Sequence, residues 1–205
     1  GLKFFVGQML SIIMFQSTNF ILIKIVGSES VSIYNIAQTY YNLPLTFFII
    51  ILTPFWSAIT EAYINNDFSW IQIKMKTLKK ISIFFSFCLI LMLFLSNYAF
   101  KIWLGDKVII PFEISLLFTL YNILVLFLSP YNYFLNGVGK LNLGLRIAVF
   151  KTLFFLPFAI FLVKTYGSAG MIISLLIINT LPNLIFNTTQ YKKLINKKAS
   201  GIWNK

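Results

Sequence analysis

Residues 53–80 read TPFWSAITEAYINNDFSWIQIKMKTLKK and form the longest stretch of the chain that is not simply apolar. The Thr53-Pro54 pair disfavours an α conformation at Thr53 and weakens helical hydrogen bonding there. Asn65-Asn66-Asp67 indicates a turn, with Asp67 as the N-cap of a helix that restarts at Phe68. Four lysines lie among its last seven residues, at 74, 76, 79 and 80. Uncharged hydrophobic runs flank the stretch on both sides. We therefore expect an interfacial elbow over 53–80 between two membrane helices, with its lysines on the cytoplasmic face.

The composition of the chain is that of an integral membrane protein. Of its 205 residues, 59% are hydrophobic and only 11% are charged, whereas about a quarter of the residues of a soluble domain are charged. There is no histidine, which removes the usual general base and the commonest metal ligand. The single cysteine, Cys88, lies in an apolar run, where we expect a small core or lipid-facing residue. We expect neither an enzyme nor a protein that holds a metal or cofactor.

The net charge of +12 is interpreted as a signal of membrane orientation. The lysines flank hydrophobic runs and do not line a polar face, so we expect no nucleic-acid partner. Most of the 17 lysines and arginines fall on one side of the predicted topology, the side that also holds both termini. Because cytoplasmic loops are enriched in lysine and arginine, both termini of this multi-pass chain are predicted to be cytoplasmic.

The hydrophobic pattern predicts an all-α chain with six spans, each near the 20 residues that a membrane crossing needs. The predicted spans cover residues 4–26, 31–52, 81–100, 112–135, 145–163 and 171–187. They form one six-helix lobe over residues 1–190, followed by a basic cytoplasmic tail over 191–205. Prolines interrupt four of the six spans. Such kinks fit a transporter with moving walls, but proline is also common in membrane helices generally. The chain begins with Gly1 and enters a span at once, so we expect a fragment or a cropped domain.

Two consecutive spans carry amide-rich stripes. Helical spacing places Gln8, Ser11 and Asn19 roughly on one face of the first span. In the second span, Asn35, Gln38 and Asn42 form a similar stripe, edged by Tyr34 and Tyr41. Such amides either hold helices together or line a wet cavity. In the cavity interpretation the aromatic edges are available for stacking on sugars.

Three cations lie near the ends of predicted spans, and one of them, Lys24, has two interpretations. Lys24 is the only charge well inside the first span, where it acts either as a cavity cation or as a lysine that reaches the outer interface. Arg146 and Lys151 are placed at the inner end of the fifth span, where the positive-inside rule explains them. Glu61 is expected to pair with an elbow lysine.

The candidate substrate-binding residues are Gln8, Ser11, Asn19, Lys24, Tyr34, Asn35, Gln38 and Asn42.

Three stretches resemble a known family of transporters. The run from Asn19 to Pro44, NFILIKIVGSESVSIYNIAQTYYNLP, resembles the seventh and eighth helices of polysaccharide flippases. Asn19 departs from the pattern, since many relatives carry an acid there. Asn136-Gly137-x-Gly139-Lys140 resembles the loop after the tenth helix. The elbow resembles the family's Pro-x-Trp-x-Ala, Glu-Ala, Asp-x-x-Trp signature, here at Pro54, Trp56, Ala58, Glu61, Ala62, Asp67 and Trp70.

The resemblance implies the C-terminal half of a polysaccharide-biosynthesis or O-antigen (Wzx-type) flippase, in the multidrug/oligosaccharidyl-lipid/polysaccharide (MOP) superfamily. It implies one six-helix lobe of a MOP/MATE-like transporter in the bacterial inner (plasma) membrane. The implied activity is alternating-access translocation of an undecaprenyl-pyrophosphate-linked oligosaccharide during O-antigen and lipopolysaccharide assembly. The implied partners are the lipid-linked oligosaccharide, membrane lipids, a missing N-terminal lobe and other polysaccharide assembly proteins.

Other functional classes remain open from the sequence. A MATE-type multidrug or cation exporter of the same superfamily shares the fold, but relatives with a cation site in this lobe use buried carboxylates, and no acid lies at midspan here. A membrane-bound polysaccharide polymerase or lipid phosphatase needs acids, arginines or histidines on a sizeable outer loop, and the predicted outer loops are short. A purely structural membrane subunit fits the composition as well.

Overall fold

The computed structural model describes residues 2–105 and 108–204, and within them the chain is helical, without a β-strand. The helices are α1 (Leu2–Val26), α2 (Ser28–Ile64), α3 (Phe68–Leu104), α4 (Phe112–Gly137), α5 (Asn142–Ser174) and α6 (Leu181–Ile195), with a π-helical turn (Leu175–Thr180) between the last two and a 3₁₀ turn (Gly201–Asn204) after them. Five helical segments in the described chain are long and apolar enough to span a membrane: 4–26, 28–64, 68–104, 112–137 and 142–195. This confirms the predicted all-helical class and is consistent with a membrane protein.

The turn between α2 and α3 lies where the sequence predicts it. Asp67 is the N-cap of α3, and its Oδ1 accepts hydrogen bonds from the backbone N–H of Trp70 at 2.9 Å and from the hydroxyl of Ser69 at 2.6 Å. Asn66 takes a positive φ of 57°, a conformation that asparagine tolerates better than most residues. The predicted restart of the helix at Phe68 is therefore confirmed.

The interruption predicted at Thr53-Pro54 is absent, because α2 continues through Pro54 to Ile64. A proline removes one backbone donor, while the rest of the helix keeps its hydrogen bonds. The hydroxyl of Thr53 also donates to the carbonyl oxygen of Ile49 at 2.9 Å. Residues 53–80 are therefore the adjoining ends of two helices of 37 residues each, joined by a short turn. A helix of that length measures about 55 Å, which exceeds the roughly 30 Å of a hydrocarbon layer.

The chain reverses direction at Gly167, in the gap between the fifth and sixth predicted spans (145–163 and 171–187). Gly167 has φ 58° and ψ −140°, which breaks the helix into two arms. Lys151 and Asn179 then lie within hydrogen-bonding distance, although 28 residues separate them in sequence; in a straight helix they would be about 42 Å apart. A Cβ atom on Gly170 would overlap the carbonyl of Leu162, so only glycine fits where the returning arm crosses the first.

The core is organised around α4, which packs against α2, α3, α5 and α6, while α1 packs chiefly against α5. Tyr41 and Phe118 stack with ring centroids 6.4 Å apart at the α2–α4 contact. At one end of that contact a Cβ atom on Gly137 would lie 3.1 Å from the carbonyl oxygen of Trp56. The missing side chain of Gly137 therefore sets how closely α2 and α4 approach.

Three connecting or terminal segments meet at one end of the bundle. The ammonium of Lys140 donates to the carbonyl oxygen of Asn204 at 2.8 Å, and the ammonium of Lys197 lies 5.1 Å from the ring centroid of Phe68. The α2–α3 turn, the α4–α5 loop and the C-terminal residues therefore share this end. At the other end, a Cβ atom on Gly167 would lie 3.7 Å from Val26, so the α1–α2 and α5 turns lie together.

The predicted basic tail is partly helical and is packed against the bundle. Helix α6 continues to Ile195 before the chain leaves it. The side-chain amide of Gln190 donates to the carbonyl oxygens of Lys140 and Trp203, each at 3.2 Å. The Trp203 ring lies under the ammonium of Lys193, 3.9 Å from its centroid. These contacts, which involve residues distant in sequence, hold the tail against the α4–α5 loop.

Candidate functional site

The predicted stripe of α1 lies on the side of that helix that faces α2. The rings of Phe4 and Trp56 contact each other with centroids 5.7 Å apart, which fixes the direction of α2 as seen from α1. Gln8, Ser11 and Asn19 lie within about 60° of Phe4 around the helix axis. All three side chains are exposed. The α1 stripe therefore borders α2 without being buried by it.

The predicted stripe of α2 lies on the face of that helix that also carries Trp56, whose ring contacts Phe4 of α1 and Tyr133 of α4. Gln38 precedes Trp56 by 18 residues, about five helical turns, so both residues share one face. Asn35 and Asn42 lie within about 60° of the same direction. All three amide-bearing side chains are partly exposed. We name the six residues of the two stripes (Gln8, Ser11 and Asn19 with Asn35, Gln38 and Asn42) the amide furrow.

The two stripes do not bond to each other. Among the described residues, no hydrogen bond joins a side chain of the α1 stripe to one of the α2 stripe; the hydroxyl of Ser11 donates instead to the carbonyl oxygen of Gly7, at 3.0 Å. Gln8 and Ser11 line a cleft of about 180 Å³ whose other wall is Asn136 with Leu141, Gly144 and Leu145 at the start of α5, and no residue of the α2 stripe lines it. The amides therefore do not hold α1 to α2, and their polar groups remain available to water, a ligand or another chain.

The tyrosines predicted to edge this cavity face the core instead. Tyr34 is 1% exposed and Tyr41 is 0% exposed. Their rings lie 5.1 Å and 6.4 Å from the Phe118 ring of α4. They share the buried face of α2 with Ala37 and Phe48, at helical spacing. The structure therefore brings neither ring into the amide furrow, and neither is available there to stack on a sugar.

Lys24 points away from the amide furrow. It follows Asn19 by five residues, so it lies about 140° around the helix from that stripe. Its side chain is exposed, and its ammonium lies 4.5 Å from the ring centroid of Phe20. It is also two residues from the end of α1 at Val26. This position favours the interpretation of Lys24 as a lysine that reaches the interface.

The elbow residues of the family signature pack the ends of α2 and α4 together. Trp56 contacts Tyr133 of α4 with centroids 5.9 Å apart, in addition to its contact with Phe4. The hydroxyl of Thr60 donates to the carbonyl oxygen of Gly137 at 2.8 Å. Pro54 is exposed on α2, and Asp67 caps α3. The geometry of this region is therefore that of a structural junction.

The ion pair expected for Glu61 is not formed within the described part of the chain. Glu61 is exposed near the end of α2. The ammonium of Lys74 lies over the Trp70 ring, 5.6 Å from its centroid, and that of Lys79 lies over the Tyr131 ring at 5.3 Å. These elbow lysines contact aromatic faces, where a cation is attracted by the ring electrons.

Lys151, which the sequence places at the inner end of the fifth span, is partly buried between the two arms of the α5 hairpin. It lies nine residues after Asn142, about 14 Å along α5 from its start. Its ammonium donates to the side-chain oxygen of Asn179 at 2.9 Å. Asn179 belongs to the π-helical turn, a departure from α geometry that is frequent at functional sites. The only sequence signal was the polar pair at Asn179 and Thr180 within an apolar run, because the pairing requires the reversal at Gly167.

The described residues hold no group of three or more metal-binding acids, cysteines or histidines. Comparisons of the chain with protein families, with curated proteins and with solved structures found no match.

Proposed function

We propose that the chain is one lobe of a bacterial inner-membrane flippase that translocates a lipid-linked oligosaccharide by alternating access. In this proposal α1 to α4 make four crossings of the membrane. The first arm of α5, before Gly167, makes the fifth, and the returning arm, which continues into α6, makes the sixth. Both termini then lie in the cytoplasm. The amide furrow faces a central cavity that a second, N-terminal lobe completes. The observation that carries the proposal is the open furrow, whose two stripes lie on the faces of α1 and α2 that carry the Phe4–Trp56 contact and do not bond to each other.

The energetics of the furrow favour a wet or covered surface. A polar group in contact with hydrocarbon has no partner for its hydrogen bonds, and this costs several kcal/mol on hydrocarbon transfer scales, roughly 4–8. The exposed side chains of Gln8 and Asn19 avoid this cost if water, a polar ligand or another lobe supplies their hydrogen bonds. A transporter cavity meets this condition, and a lipid-facing surface does not.

The chemistry of the furrow fits the sugars of the proposed substrate. Each amide side chain offers both donors and acceptors, which matches sugar hydroxyls. The furrow residues are uncharged, and Lys24 points away from them. We therefore propose that this lobe contacts the oligosaccharide and that cations elsewhere in the intact transporter hold the pyrophosphate.

The corresponding test replaces furrow amides in the intact transporter, in a strain that lacks its own polysaccharide flippase. Gln38→Leu and Asn42→Leu remove hydrogen-bonding groups while roughly keeping side-chain size. Gln72→Leu is the matched control, because Gln72 is an exposed glutamine of α3, outside the furrow. We expect the furrow variants to reduce surface polysaccharide about tenfold at equal protein level, since an amide left without its partner costs about 1–3 kcal/mol. Normal display from both furrow variants would contradict the proposal.

A further inference from the structure

A groove runs between the first arm of α5 and the returning arm formed by the π-helical turn and α6. Its volume is about 570 Å³, and its walls include Phe150, Phe154, Ile178 and Phe186. The rings of Phe150 and Phe154 lie 4.5 Å apart, and the two side chains are 65% and 50% exposed. The groove is therefore apolar along its length and opens on the outer surface of the bundle.

Two cations line this otherwise apolar groove. Arg146 and Lys151 are both part of its lining, and they lie about 6 Å and 14 Å along α5 from the first residue of the helix. Lys151 uses one of its three N–H donors on Asn179. The acids in the described part of the chain, Glu29, Glu61, Asp67 and Glu113, all lie on other helices or turns. The groove thus carries positive charge without an acid to neutralise it.

Arg146 lies nearest the start of α5, Lys151 lies beside Phe150 about 8 Å further along, and Phe154 lies beyond both cations. The basic residues Lys140 and Lys193 lie at the same end of the bundle, near the start of α5. A ligand that fits must therefore have an anionic head near the membrane surface and an apolar tail that points toward the bundle interior. Phospholipids of the surrounding leaflet have this arrangement.

We propose that the groove between α5 and α6 binds an anionic phospholipid of the membrane. Its phosphate contacts the remaining N–H groups of Lys151, and its polar head extends toward the guanidinium of Arg146, nearer the start of α5. One acyl chain lies along Phe150, Phe154 and Ile178. This inference is independent of the proposed function, because the amide furrow belongs to α1 and α2 and the groove to α5 and α6.

The test uses the full chain, purified in detergent, stripped of lipid and titrated with phosphatidylglycerol or phosphatidylcholine. Native mass spectrometry counts the lipid that remains bound to each protein molecule. We expect one phosphatidylglycerol to bind in preference to phosphatidylcholine. Lys151→Gln and Arg146→Gln each remove one cation, and we expect each to weaken phosphatidylglycerol binding about tenfold, the usual effect of losing one hydrogen bond to a charged group.

Three further variants separate groove binding from general attraction to a basic protein. Lys164→Gln removes an exposed lysine elsewhere on α5 and is expected to leave binding unchanged. Lys151→Arg keeps the charge and is expected to retain binding. Ile178→Trp fills the groove without changing any charge and is expected to reduce binding as strongly as Lys151→Gln. Each variant must first elute from size-exclusion chromatography as the wild type does.

Three results would overturn the proposal. One is equal binding of the two lipids by the wild type. Another is unchanged phosphatidylglycerol binding in Lys151→Gln and Arg146→Gln. The third is unchanged binding in Ile178→Trp, which would place the lipid outside the groove. The alternative occupant of the groove is a second copy of the chain. In that case the wild type would form a dimer, Ile178→Trp would disrupt it, and the protein would bind the two lipids equally.

Discussion

The ammonium of Lys151 and the side-chain oxygen of Asn179 are joined by a hydrogen bond of 2.9 Å that links the outgoing and returning arms of the α5 hairpin. Both residues lie inside apolar segments, and the bond supplies the lysine with a polar partner there. Asn179 is presented by a π-helical turn. The relationship therefore connects a local departure from α geometry with the polar partner of a partly buried cation.

The first prediction concerns the stability of this link. Asn179→Leu leaves the Lys151 ammonium without its partner, and a buried polar group left unpaired costs about 1–3 kcal/mol. We expect the variant to lower the free energy of unfolding by that amount, measured by SDS titration in mixed micelles. The double variant Lys151→Met with Asn179→Leu removes both partners and should recover much of the loss. Equal stability of Asn179→Leu and wild type would show that the bond contributes nothing.

The second prediction concerns topology. In a background where Cys88 is replaced by Ser, single cysteines at Ser28 and Ser168 should react with an impermeant thiol reagent added outside intact cells. Cysteines at Asn66, Lys140 and Ser200 should be protected, because the contacts of Lys140 and Lys197 place these segments together at the other end of the bundle. Asp106 is expected to react from outside, although it lies outside the described residues. Reaction of Asn66 from outside would reverse the orientation.

The third prediction concerns the cap of α3 at low pH. The hydrogen bond from Ser69, followed by that from the Trp70 backbone, lowers the pKa of Asp67 below its ordinary value of 3.8. Because the pKa is lower in the folded chain, the contribution to stability is present above 3.8 and is lost as the pH falls through the folded pKa. The Trp70 amide should therefore keep its protection from hydrogen exchange at pH 3.8 and lose it as the pH falls further, through the lowered pKa of Asp67.

Asp67→Asn provides the control for this effect. Asparagine also caps helices well but does not titrate, so its Trp70 protection should not change with pH. Protection factors are corrected for the intrinsic pH dependence of exchange. A wild-type profile as flat as that of Asp67→Asn would show that the carboxylate does not hold the turn.

The fourth prediction tests the close approach of α2 and α4. Gly137→Ala places a Cβ atom 3.1 Å from the Trp56 carbonyl oxygen and 3.3 Å from the Ile59 side chain. Such overpacking costs about 1–3 kcal/mol, and we expect a corresponding loss of unfolding free energy. Gly144→Ala is the matched control, since its Cβ atom meets nothing within 4 Å. Equal stability of the two variants would mean that the helices adjust without cost.

Features that depend on neighbouring residues were predictable from the sequence. The Asn65-Asn66-Asp67 turn and the cap at Asp67 follow from the preferences of those residues, and the structure has both. The reversal near Gly167 followed from a break between two apolar runs. In each case the signal and the structure lie within a few residues of each other.

Features that depend on distant partners were not predictable. Tyr34 and Tyr41 were assigned to a cavity because they flank amides, but the Phe118 ring of α4 buries them. The charge of Lys151 resembled a topology signal, and its partner Asn179 is supplied by the returning arm. The periodicity of the sequence gives the angle of a side chain around its own helix. It does not say which helix lies at that angle, because tertiary packing decides that.

The last prediction separates the two interpretations of Lys24. Its ammonium lies over the Phe20 ring, near the end of α1 and on a different side of the helix from Asn19. We therefore expect Lys24→Gln in the intact transporter to change surface polysaccharide by no more than about twofold, the effect typical of an exposed substitution. Gln38→Leu, in the amide furrow, should reduce display much more at the same protein level. If Lys24→Gln abolished display while Lys24→Arg preserved it, the charge itself would be required, and Lys24 would have to contact the anionic substrate during transport.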